Sequence, residues 1–323
     1  MNTIVTADGL ARDAWDFLRF KRAMGMRYWR GEFVLNAFLR FIAQHWGDHG
    51  EVALDEAVRR WITRIAGRKA VTVSLEFGVV RQLCLYRRRR DPSSHVPEHA
   101  LAPVKGSVFL PYIFSHDEVR RLLALAVSRD GRNIRGAMLR TLILVLYCTG
   151  LRLGEAVRLR TADIDLNRGT LMIQHSKGRS RIVAIRSDLV NELRRHSEER
   201  DRLLSECRQA DQGAFFLRRD GSPLTLRSAS QAIRRLLRKL GMKPPSGRCG
   251  ARPYEFRHAF AVHRLTAWAI AGVDVHARLP WLSAYLGHLN VLGTEVYLKA
   301  TPQLLALASN RFEEHLRRSR RPR

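Results

Sequence analysis

Apolar residues recur every three or four positions along much of this chain, the period of a helix with one buried face. In the first ninety residues Trp15, Phe17, Leu18 and Met24 form one stripe, and Phe33, Leu35, Phe38, Leu39 and Ile42 form another. Further stripes run over 54–65 and 73–86. Arg19, Lys21, Arg22, Arg27 and Arg30 fill positions between the apolar ones, so the segment reads as a small basic helical bundle. The periodicity then stops. Arg87, Arg88, Arg89 and Arg90 are followed by Asp91, Pro92 and a stretch holding Pro97, Pro103 and Gly106, the composition of a linker.

Helical spacing resumes at Ser115. Ser115 and Glu118 stand three apart as a capping box and predict a helix over 116–127. A second helix is expected over 135–147, breaking near Thr149 and Gly150. Over 163–185 the period changes. Leu171, Ile173, Ile182 and Ala184 alternate with polar neighbours on either side of Ser176-Lys177-Gly178-Arg179-Ser180, which predicts a β-hairpin with Lys177 in its turn. Helices are expected again over 187–206, 226–240 with Gly241 as the stop, 255–271 and 281–286, with a short piece around Tyr297. Thr301 and Pro302 predict the start of a last helix, over 302–318. The expected fold is mostly α with a small antiparallel β-sheet, an α+β chain.

Composition narrows the partner. The 323 residues suggest two domains, and 46% hydrophobic content can fill real cores. A formal net charge of +27 far exceeds what solubility needs. A folded chain so basic meets a polyanion, with DNA or RNA first and an anionic membrane second. No stretch offers about 18 uninterrupted apolar residues, and the apolar segment 138–148 suits a buried core helix. The N-terminus lacks the basic-then-apolar pattern of a signal peptide. Cys84, Cys148, Cys207 and Cys249 lie far apart and make no zinc spacing, and the histidines show no HExxH. The expectation is a cytoplasmic protein without metal or cofactor, associated with a prokaryotic-like nucleoid. Its parts would be a basic helical DNA-binding domain over 1–90, a linker over 91–110 and a catalytic domain over 111–323. A basic linker would let two DNA-facing domains close around a duplex.

Four short motifs in the second part carry candidate chemistry. They are Thr149-Gly150-Leu151-Arg152-Leu153-Gly154-Glu155, then Lys177, then Tyr254-Glu255-Phe256-Arg257-His258, then Leu286-Gly287-His288 with Tyr297 nine residues later. Breaking a phosphodiester without metal needs a nucleophile, a charge clamp and an acid for the leaving oxygen. Two arginines can hold the non-bridging oxygens in fork geometry at any working pH. A histidine adds a hydrogen bond, a tyrosine hydroxyl can attack and form a phosphotyrosine, and a lysine can protonate the departing oxygen. The bond energy is kept in the phosphotyrosine, so religation needs no ATP. The chain has no GxxxxGK[ST] loop and no acidic metal cluster, which fits that chemistry.

The order of these motifs resembles the catalytic domain of the tyrosine recombinase, or phage integrase, family. Its first box is similar to 149–155, with Arg152 as first catalytic arginine. Its hairpin lysine falls on Lys177, its second box on Tyr254 to His258 with Arg257 as second arginine, and its third on Leu286-Gly287-His288 and Tyr297. The segment following Tyr297 resembles mobile-element integrases of the transposon kind. The resemblance implies a core-binding-like N-terminal bundle and attack by Tyr297 to leave a 3′-phosphotyrosyl link. It also implies a homo-tetramer on two double-stranded DNA sites, alone or with sister recombinases. One position departs: Tyr254 stands where the family carries histidine. A phenol can donate to a phosphate oxygen but is no base near neutral pH. His258 is not expected to substitute, since one residue along a helix turns about 100° away.

Singly, each motif has an ordinary structural reading, Tyr297 as a core aromatic above all. Their joint order favours the functional one. Two alternatives stay open: a DNA-binding subunit that relies on sister recombinases, and a type IB topoisomerase, which shares the chemistry. The run Arg317-Arg318-Ser319-Arg320-Arg321 reads either as a solvated tail or as a grip on DNA or a neighbouring protomer.

Overall fold

A computed structural model describes residues 4–101, 111–128, 134–176, 179–247, 249–295 and 297–298. The chain divides into two compact units, Met1–Phe109 and Leu110–Arg323.

In the first unit, strand β1 (Ile4–Thr6) leads into helices α1 (Ala7–Ala23) and α2 (Trp29–Trp46). Strand β2 (Glu51–Ala53) then pairs antiparallel with β1 and is followed by α3 (Leu54–Thr63) and α4 (Ala70–Arg88). The two strands were not expected, because three residues are too few for a two-residue period to stand out. Thr6 starts α1 by accepting a hydrogen bond from the Gly9 amide at 3.1 Å. Leu10, Phe17, Leu35, Phe38, Ile42, Val58, Val80 and Leu83 form the core. Trp15 and Phe33, expected within the apolar stripes, are instead 66% and 68% exposed. Each lies two positions before a core residue, Phe17 or Leu35, and two positions turn a helix about 200°. Val96 and Leu101 also pack on this core.

In the second unit, α5 (His116–Val127) begins at the expected capping box: Ser115 Oγ accepts from the Glu118 amide at 3.1 Å, and Glu118 Oε2 from the Ser115 amide at 2.8 Å. Helix α6 (Gly136–Thr149) is apolar on nearly every face because it runs through the core, with Met138, Leu142, Ile143, Val145 and Leu146 all buried. After α7 (Leu153–Val157) comes a three-stranded antiparallel sheet, β3 (Ile164–Asp165), β4 (Thr170–Ser176) and β5 (Arg179–Ala184). Its register differs from the alternation read along the chain. Leu171 faces Val183 and Ile173 faces Arg181, so Val183 and Arg181 turn inward on β5 while Ile182 is 63% exposed. Pairing with β4 selects the buried face of β5.

The unit continues with α8 (Ser187–Cys207), α9 (Leu226–Lys239) and α10 (Glu255–Ile270). Next come α11 (Val275–Leu286) and α12 (Leu292–Glu295). Helix α11 starts before Pro280, because Asp274 Oδ1 caps it by accepting from the His276 and Ala277 amides at 2.8 and 3.2 Å. Lys177 and the helix expected over 302–318, with its arginine run, lie outside the described residues. Among the described residues no helix is long and apolar enough to cross a membrane. The architecture is mostly helical with small antiparallel sheets, as expected.

Candidate active site

The site is built where three chain segments end against one another. Helix α6 terminates on Gly150, whose φ of 63° belongs to the left-handed region. A Cβ there would lie 2.6 Å from Phe260 Cδ1 and 2.8 Å from Leu286 Cδ2. Glycine therefore meets both the turn and the close approach of α10 and α11. The turn delivers Arg152 to the start of α7. Glu155, with a side chain 1% exposed, accepts from the Arg152 amide at 3.0 Å and from Arg152 Nη1 at 2.7 Å.

Helix α11 presents its C-terminal carbonyls to this corner. Such carbonyls have no partner within the helix and carry its negative end. Three arginines from three elements take three successive ones. Arg181 Nε donates to Tyr285 O at 2.9 Å, Arg257 Nη2 to Leu286 O at 2.7 Å, and Arg152 Nη2 to Gly287 O at 3.3 Å. Arg257 also donates through Nη1 to Gly150 O at 2.9 Å, so it bolts the end of α6 to the end of α11. It is 1% exposed, and its Nε has no hydrogen-bond partner among the described residues. Burial first, and the neighbouring Arg152 charge second, lower its pKa.

Gly287 closes α11 with φ 69° and hands the chain to His288. His288 Nδ1 lies 2.7 Å from Oγ1 of Thr294, a fully buried side chain of α12 that fixes the ring's orientation. Tyr297 follows α12, its amide bonded to Thr294 O at 3.0 Å. It is 3% exposed, and its ring stacks on His288 with centroids 6.3 Å apart. Burial raises the Tyr297 hydroxyl to about 12, with Arg257 and Arg152 opposing that rise. The phenol is therefore neutral at rest, held beside the two cations that would favour its ionised form.

Tyr254 sits at the N-cap of α10, 41% exposed. The expectation about His258 needs correcting. The comparison that matters is with Tyr254, four residues away, which returns to within about 40° of the same direction. His258 accordingly packs edge-on against Tyr254 at 4.9 Å and against Tyr297 at 5.3 Å between ring centroids. Burial and the charges of Arg252 and Arg257 push it down to about 4.

Of the residues singled out in the sequence, Arg152, Tyr254, Arg257, His288 and Tyr297 meet in this one corner through these contacts. Lys177 belongs to the connection between β4 and β5 in chain order and lies outside the described residues. Sequence reasoning missed Arg181, Thr294 and the placement of His258. Glu155 lay inside a recognised motif, but no spacing signalled that two arginines converge on it.

Comparison with known proteins shows the family of the chain. A profile of the phage integrase family matches residues 113–303. The integrase/recombinase y4rB of Sinorhizobium fredii is 29% identical over 303 residues, covering 92% of this chain and 95% of its own. Tyrosine recombinase XerA of Thermococcus kodakarensis is 31% identical over 216 residues, covering 65% of this chain and 66% of its own. The Tn1549 transposon integrase, solved in complex with circular intermediate DNA, is 16% identical. It shares the fold with a TM-score of 0.68, covering 95% of this chain and all of that one.

Proposed function

The chain belongs to the phage integrase family of DNA strand-transferring tyrosine recombinases, and we propose that it cuts and rejoins DNA through a covalent 3′-phosphotyrosine on Tyr297. The observation that carries this reading is the joint anchoring of the two arginines on the end of α11, immediately before His288 and the Tyr297 segment. Two guanidiniums held by helix-end carbonyls keep donors to spare, because each has five N–H groups. They would clamp the non-bridging oxygens of a scissile phosphate and stabilise the charge that builds in the pentavalent state. His288, oriented by Thr294, and the exposed Tyr254 hydroxyl would add hydrogen bonds. Lys177 would protonate the departing 5′ oxygen, and Tyr297 Oη would attack phosphorus in line. No metal, cofactor or ATP enters this scheme.

The partner is double-stranded DNA, to which +27 of net charge gives a strong, salt-dependent attraction. The basic helices of residues 1–90 serve as the core-binding part, 91–110 as linker and 111–323 as the catalytic part. Integration or excision of a mobile element by a homo-tetramer on two sites, in the cytoplasm on the nucleoid, completes the reading. Tyr254 supports a second one, in which the chain binds DNA but depends on a sister recombinase for cutting.

A nicked suicide substrate tests both. The purified wild type should accumulate a covalent protein–DNA adduct, and Tyr297→Phe should bind DNA normally and form none. An adduct surviving in Tyr297→Phe would refute the assignment. Binding without any wild-type adduct would favour the second reading.

A further inference from the structure

The inward face of β5 carries a guanidinium among the apolar side chains of Leu171, Ile173 and Val183. Arg181 stands opposite Ile173, and its side chain is only 13% exposed. Among the described residues, each side-chain hydrogen bond it makes ends on the candidate site. Nη2 lies 2.9 Å and Nη1 3.4 Å from the Glu155 carboxylate, which also holds Arg152, and Nε donates to Tyr285 O at the end of α11. Gly287 passes so close that a Cβ on it would lie 2.7 Å from Arg181 Nη1.

The rest of the hairpin is secured without this residue. Leu171 and Val183 pair in the core, Thr170 pairs with Ala184, and Tyr285 Oη donates to Ala184 O at 3.0 Å. Toward the turn the ladder is irregular, with a register shift between Ile173 and Ser176. Arg181 is thus an inward-facing anchor of β5 four residues along the chain from Lys177. A buried charge pair is a poor device for stability but a good one for fixing a geometry.

We propose that Arg181 is a positioning residue, which ties the β4–β5 hairpin to the Glu155–Arg152 pair and to the end of α11 and so aligns the Lys177 turn with the phosphate clamp. This rests on the strand-transfer reading above. Arg181 touches no reacting atom. It acts through where it holds the hairpin, so its loss should appear mainly in protonation of the leaving group.

Single-turnover cleavage of the suicide substrate by the full-length wild type, Arg181→Met and Arg181→Lys tests this, with DNA affinity measured alongside. Each protein is also given a substrate with sulfur at the 5′ bridging position, whose thiolate leaves without a proton because a thiol is far more acidic than an alcohol. Arg181→Met should bind DNA as the wild type does and cleave the ordinary substrate more slowly by on the order of 10²-fold, the effect of a misplaced catalytic group. Arg181→Lys should recover part of the rate, since an ammonium can reach Glu155 or Tyr285 O but lacks the fork that reaches both. The sulfur substrate should close most of the gap between Arg181→Met and wild type. Arg181→Met cleaving as fast as wild type would overturn the proposal. So would an undiminished gap on the sulfur substrate, or equal loss of DNA binding in both variants. If the wild type itself makes no adduct, the strand-transfer reading falls and takes this one with it. A wild-type adduct with an unimpaired Arg181→Met removes this proposal alone.

Discussion

Gly287→Ala perturbs the corner of the site at one atom, and its cost can be worked from two separate terms. Gly287 has φ 69°, a conformation in which an L-residue pays about 1–2 kcal/mol. The added Cβ would also stand 2.7 Å from Arg181 Nη1 and 2.9 Å from its Cζ, inside any van der Waals contact. The guanidinium cannot simply swing away, because Tyr285 O holds it on one side and Glu155 on the other. Moving it breaks a hydrogen bond to a charged group, worth about 1.5–3 kcal/mol. The sum is about 2.5–5 kcal/mol. In a unit of this size each kcal/mol moves the melting temperature by about 2–4 °C. Calorimetry should therefore find the transition of the second unit lowered by on the order of 10 °C. The same substitution in an Arg181→Met background should cost only the backbone term, about 1–2 kcal/mol, so the two changes should couple by about 1.5–3 kcal/mol in a double-mutant cycle. Equal cost of Gly287→Ala in both backgrounds would refute the steric argument. A cost below about 0.5 kcal/mol in the wild type, the range of neutral surface changes, would refute the backbone argument as well.

Arg152→Ala should slow adduct formation by roughly 10²–10³, the cost of one pre-organised donor, and single-turnover kinetics with unchanged DNA affinity would check it. Tyr254→Phe should slow the adduct without abolishing it; complete loss in that variant, with Tyr297→Phe still active, would move the nucleophile to Tyr254. Acid should destabilise the second unit. Burial pushes His196 down to about 4, whereas an unfolded histidine titrates near 6.5. The unfolded chain then binds the extra proton first, so this stability is whole above pH 6.5 and is lost as pH falls toward 4. His258 and His263, also near 4, act with the same sign. His196→Gln, which keeps a donor for Phe215 O, should flatten the dependence of melting temperature on pH between 7 and 5; a melting temperature that rises on acidification would contradict the reasoning. DNA affinity should fall steeply with salt, and a flat salt titration would count against phosphate contacts as its source.

Much of this protein was legible from local pattern. Helix starts are set by short-range hydrogen bonds, so Ser115 with Glu118 announced α5 correctly. Gly150 and Gly241 marked helix ends because only glycine enters the left-handed region without penalty. The motif order around Arg152, Arg257, His288 and Tyr297 named a chemistry, since each residue type has a distinct role toward a phosphate. Pattern failed where a side chain's direction depends on a distant partner. Trp15 and Phe33 fit an apolar stripe yet face outward, because the bundle decides which arc of each helix it buries.

The sequence by itself determined most of the element types, the charge that calls for a polyanion and the residue types whose chemistry suits a phosphate. Those follow from local hydrogen bonding, side-chain volume and functional group. Only the tertiary structure decided what holds them. The register of β4 with β5 turned Arg181 inward. The meeting of α6, α10 and α11 spread Arg257 across two helix ends, and the α12 turn set Thr294 behind His288. The physical reason is the same in each case: buried carbonyls, carboxylates and imidazoles must find partners, and those partners lie up to 135 residues away, beyond the reach of any local period.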